Sequence, residues 1–80
     1  MNKIYLFINP LSIYEIFLVS NNQEQIEKTN ACFDNLIEKL NNFSQTQKEE
    51  VFIFGKNNEY TQRIVDKIKK ETNFKIIVLN

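Results

Sequence analysis

The sequence predicts a small α/β domain, with α+β as the alternative, arranged β-β-α-β-α-β around a four-stranded mixed sheet. Three observations carry that expectation. The runs KIYLFI, IYEIFLV, VFIF and FKIIVL are short, β-branched and aromatic, as strands are. Two polar stretches between them repeat apolar residues at helical spacing. A chain of 80 residues has room for one hydrophobic core and forms a single domain, 1–80.

The first two runs, Lys3 to Ile8 and Ile13 to Val19, flank Asn9-Pro10-Leu11-Ser12. Proline there presets the φ of a turn, so the pair reads as a hairpin. Ser20 to Gln23 matches a capping box, and a helix is expected from there to about Phe43. Ile26, Phe33, Ile37 and Leu40 form its apolar stripe, widened by Leu36 and Phe43. Val51 to Phe54 is the third strand, ended by Gly55. A second helix carries Tyr60, Ile64, Val65 and Ile68 on one side and Lys67, Lys69 and Lys70 in its last turns, where cations complement the helix dipole. Asn73 is expected as a left-handed stop before the last strand, Phe74 to Leu79.

Two helical crossovers make the last three predicted strands parallel, and the hairpin sets the first antiparallel to them. The simplest order is 1-2-3-4, with both helices mainly on one face. The alternative, 1-2-4-3, puts one helix on each face. Under the first order the face without helices should be polar, yet the strands alternate apolar residues on both sides. Tyr5, Phe7, Phe17, Phe52 and Phe54 make one of those sides aromatic. An uncovered apolar face of that size marks an interaction surface.

Composition excludes much chemistry. Ten basic and ten acidic side chains cancel, which argues against a dedicated polyanion binder. The cancellation is uneven: residues 1–55 hold four lysines against seven acids, and residues 56–80 hold six basic against three acidic groups. The first predicted helix is acidic (Glu24, Glu27, Asp34, Glu38), whereas Arg63, Lys67 and Lys70 line one side of the second. Without histidine there is no imidazole general base and no Ser-His or Cys-His nucleophile. One glycine excludes a P-loop or a dinucleotide fingerprint. Glu15 is the one carboxylate expected on a strand, too few for a two-metal site. Cys32, unpaired, is expected as a buried or half-buried inert thiol in the first helix, and a lone cysteine suits a reducing cytoplasm. No cofactor, metal or membrane association is expected.

Ile8-Asn9-Pro10-Leu11-Ser12 and the strand after it resemble the first hairpin of ribonuclease H-like and actin-like ATPase folds. That resemblance implies an aspartate where Asn9 stands, a glycine where Leu11 stands, and a third strand before the helix. The predicted elements lack that strand, and the asparagine implies a site without its metal ligand.

A ligand edge is expected where the second and third predicted strands end. Asn21 and Asn22, with Lys56, Asn57 and Asn58, there lead into helix N-termini, which attract anions and which such side chains also cap. The sequence as a whole points to a small cytoplasmic, non-enzymatic protein, regulatory, inhibitory or accessory, that binds another protein or itself as a homodimer through Tyr5, Phe7, Phe17, Phe52 and Phe54. Nucleic-acid binding through Arg63, Lys67 and Lys70, or small-anion or nucleotide binding at the Asn21 and Lys56 edge, are the alternatives.

Overall fold

A computed structural model of the chain describes residues 2–9, 13–20 and 25–79. It is an α+β domain of five strands and two helices: β1 (Lys3–Ile8), β2 (Tyr14–Val19), β3 (Ile26–Ala31), α1 (Leu36–Phe43), β4 (Glu50–Phe54), α2 (Glu59–Glu71) and β5 (Lys75–Leu79). The sheet is mixed, in the order β3-β2-β1-β4-β5. β1, β2 and β3 form an antiparallel meander, and β4 and β5 continue parallel to β1.

Two expectations are corrected together. The sheet has five strands, not four, and its order is not 1-2-3-4. The segment read as the first half of a helix is β3, so the helical stretch shrinks to α1, eight residues long. Ile26, expected as the first core anchor of that helix, is 62% exposed on an edge strand. Glu27 stands on β3, Asp34 in the turn after it and Glu38 on α1, so no acidic helix face forms. The capping-box reading also fails: Ser20 gives both its amide and its hydroxyl to the Gln25 carbonyl, each at 3.2 Å, and closes the strand pair. Asn21 to Glu24 lie outside the described residues.

With β3 on the free side of β2, the next strand pairs on the free side of β1. Lys3, Tyr5 and Phe7 register with Glu50, Phe52 and Phe54 in parallel. The crossovers β3-α1-β4 and β4-α2-β5 both advance in one direction along the sheet, and right-handedness then puts α1 and α2 on the same side. Leu36 and Leu40 of α1 and Ile64, Val65 and Ile68 of α2 share one core with Ile4, Leu6, Tyr14, Ile16, Val51 and Ile53. A third strand therefore precedes the first helix, where the sequence pattern predicts none.

α2 matches its sequence signals. The Asn58 side chain accepts the Thr61 amide at 2.9 Å, and Lys69 and Lys70 occupy the last turn. Its end is not the expected left-handed asparagine. Thr72 is extended and sends its amide and its hydroxyl (2.6 Å) to the Ile68 carbonyl, satisfying the helix terminus without positive φ. The one positive φ outside glycine among the described residues is at Gln47, 56°. Its side chain bridges Asn41 (2.9 Å) and the Asn73 amide (2.7 Å), so one local and one long-range bond hold that backbone. Cys32 is exposed between β3 and α1, not buried in a helix.

Candidate interaction face

Side chains alternate across a strand, so the residues between the core positions point to the side without helices. Register places Lys3, Tyr5 and Phe7 of β1 on that side. Beside them stand Glu15, Phe17 and Val19 of β2, Phe52 and Phe54 of β4, and Ile77 and Leu79 of β5. The five aromatic residues singled out in the sequence share this face and touch. Phe7 stacks on Phe54 with ring centroids 4.6 Å apart and 8° between planes, and meets Phe17 edge-on at 5.6 Å. Tyr5 stacks on Phe52 at 5.3 Å and on Phe54 at 6.1 Å.

These contacts half-bury four of the rings, while Phe7 stays 40% exposed at the centre. Each aromatic pair contributes about 0.5–1.5 kcal/mol beyond area burial, which helps hold the face together without a cover. Val19, Ile26, Ile77 and Leu79 widen the patch, and sequence reasoning did not include them. Alternation in the last strand was sufficient to place Ile77 and Leu79. Ile26 had no such signal while β3 was read as helix.

The margin is charged and internally paired. Lys28 bonds Glu15 at 2.9 Å and lies over the Phe17 ring at 5.6 Å; Lys75 meets Glu50 at 3.7 Å. Lys3 lies over Phe52 at 5.6 Å. An apolar centre with a polar rim is the anatomy of a protein interface.

The other sequence candidates fall elsewhere. Arg63 and Lys67 sit over the Phe33 ring, 5.1 and 4.5 Å from its centroid, and Lys67 also pairs with Glu71 at 3.4 Å. A shallow cleft between Phe33 and α2 takes in Arg63, Lys67 and Lys70 together with Asp66 and Glu71, so acids interrupt the basic stripe. The anion edge is split, which corrects the expectation. β2 runs against β1 and β4, so Val19 ends beside Lys3 and Glu50, whereas Gly55 to Asn58 follow the opposite end of β4. Asn21 and Asn22 lie outside the described residues; Lys56, Asn57 and Asn58 do line one cleft together.

Tyr14 is fully buried under α2, its hydroxyl 3.0 Å from that of Tyr60. Burial first, and the Tyr60 hydrogen bond second, hold its phenol well above the usual tyrosine range. No group of three His, Cys, Asp or Glu side chains is placed to hold a metal among the described residues, and none of their helices is long and apolar enough to cross a membrane. No protein-family model, curated protein or solved structure matches the chain.

Proposed function

We propose that this chain is a non-enzymatic protein-protein interaction module of regulatory, inhibitory or accessory type, and that its open sheet face pairs with a second copy of the chain. The observation that carries the reading is the continuous aromatic cluster Tyr5-Phe7-Phe17-Phe52-Phe54 on the face without helices. Uncovered apolar surface of this kind is stabilised by burial at about 25 cal/mol per Å².

Charge favours self-pairing. A two-fold interface needs a self-complementary surface, and the margin carries Lys3, Lys28 and Lys75 alongside Glu15 and Glu50. Formal neutrality removes long-range repulsion between copies. The same rim counts against nucleic acid, because a phosphate backbone would meet two carboxylates beside the rings. The α2 stripe is weaker still for that purpose, with Lys67 already paired to Glu71.

Sedimentation velocity at micromolar concentration is the test. The expected result is a dimer that Phe7→Ser or Phe52→Ser converts to a cooperatively folded monomer. A stable monomer in which Phe7→Ser changes nothing overturns the reading. Steeply salt-dependent retention of the chain on single-stranded DNA would move it to the nucleic-acid class.

A further inference from the structure

The parallel strands β1, β4 and β5 end together, and a cleft of about 850 Å³ opens at that edge. Ligand pockets typically span about 300–1,000 Å³. The edge is where the connections diverge: the chain leaves β1 toward β2 on one side and leaves β4 toward β5 on the other. In open sheets that divergence leaves a crevice at the carboxyl ends of the strands. Here it is bounded by Ile8, Phe54 and Leu79 from the strand ends and by Tyr60 and Thr61 from the first turn of α2.

The polar groups converge from one side. Asn58 caps Thr61 with its side chain and Gln62 with its carbonyl, so the Glu59 and Tyr60 amides keep no partner among the described residues. Those amides carry the partial positive charge of a thirteen-residue helix. Lys56 is exposed at the rim and forms no ion pair among the described residues.

Thr61 adds an observation independent of the helix end. The residue is only 4% exposed, yet its hydroxyl has no hydrogen-bond partner among the described residues, and it lines the cleft. Among the described residues no sealed side-chain nitrogen or oxygen lacks a partner, so the unpaired Thr61 oxygen is open to the cleft. Gly55 keeps this corner open. A Cβ there would stand 2.9 Å from Ile8 Cδ1 and 3.0 Å from Thr61 Oγ1, so any larger residue crowds the hydroxyl.

We propose that this cleft binds a small organic anion, its aromatic or aliphatic body against Phe54, Tyr60 and Leu79 and its phosphate or carboxylate held by Lys56, the Thr61 hydroxyl and the first amides of α2. Apolar walls without the cation would select a neutral body, and the cation without walls a bare ion. Glu59, exposed in the same first turn, opposes the charge and limits the affinity.

The chain has one glycine, so protein labelled with ¹⁵N-glycine shows one amide resonance, Gly55, within the cleft. Phenyl phosphate or benzoate is expected to shift that resonance saturably, and the tighter of the two identifies the head group. Inorganic phosphate, lacking the body, and phenol, lacking the charge, should each bind about tenfold more weakly, as for loss of about 1.4 kcal/mol. Lys56→Ala and Thr61→Val should weaken the preferred anion by a similar factor, and Glu59→Gln should tighten it. Lys48→Ala, an exposed lysine before the opposite end of β4, should leave it unchanged. The proposal is overturned if neither anion moves Gly55, if phenol binds as well as the anions, if Lys56→Ala and Thr61→Val bind as well as the parent, or if Lys48→Ala abolishes the shift.

Discussion

The two faces of the sheet follow the same two-residue period and carry different chemistry. Under the helices stand Ile4, Leu6, Ile16, Val51 and Ile53, aliphatic and fully buried. On the other side stand Tyr5, Phe7, Phe17, Phe52 and Phe54, flanked by lysines and glutamates. Branched aliphatic side chains interdigitate with helix ridges and leave no void. Flat rings stack on one another and leave part of their surface exposed, most of all at Phe7. The covered face thus stabilises the monomer, and the open face is stabilised only partly by its own contacts.

That contrast is open to attack by mutation, and the largest effect belongs to the covered face. Leu6→Ala should cost about 2–5 kcal/mol in urea unfolding, whereas Phe7→Ser, one residue along, should cost the monomer less while abolishing self-association. Equal losses from the two, with no change in sedimentation, would mean that the faces do not differ in role.

Alkaline pH gives the next effect, again on the covered side. An unfolded tyrosine loses its proton near pH 10, but native Tyr14 retains it to higher pH because burial and Tyr60 disfavour the phenolate. The native state then binds the extra proton, so stability is intact below about pH 10 and falls as pH rises past it, by up to about 1.4 kcal/mol per pH unit. Urea midpoints measured on either side of pH 10 should show this slope, and Tyr14→Phe should remove its share.

Smaller again is the contribution of Gln47, which ties α1 to the segment entering β5. Gln47→Gly relieves the positive φ but deletes the bonds to Asn41 and Asn73; Gln47→Ala deletes the bonds and keeps the strain. Alanine should therefore be the less stable of the two by about 1 kcal/mol, read by thermal unfolding. The smallest effect is expected at the rim of the open face. A double-mutant cycle on Glu15 and Lys28 should return a coupling below about 1 kcal/mol in the monomer, and a larger value in the dimer if the pair is desolvated there.

Much of this contrast was legible in the residues themselves. Alternation in the first, third and last predicted strands separated the aliphatic from the aromatic side, because the period of two is local and survives any change of strand order. α2 was legible for a similar reason: its cap, its apolar stripe and its terminal lysines lie within one stretch of chain. β3 was not. Ile26-Glu27-Lys28-Thr29-Asn30-Ala31 buries only Ala31, so it has no apolar alternation, and Ile26 happens to fall on the helical spacing of Phe33 and Leu40. An edge strand made of charged and polar residues resists pairing with other chains, and the same property hides it from pattern reading.

The sequence by itself determined which residues pair an aliphatic core with an aromatic surface, and where the second helix begins. Tertiary structure decided the strand order, because one additional strand on β2 sends β4 to the far side of β1. It also decided that Lys56 to Asn58 share an edge with Ile8, Thr61 and Leu79, and not with the end of β2. Local patterns are set by neighbours in the chain; which edge of a sheet two loops share depends on the direction of every strand between them, and one unread strand changes it.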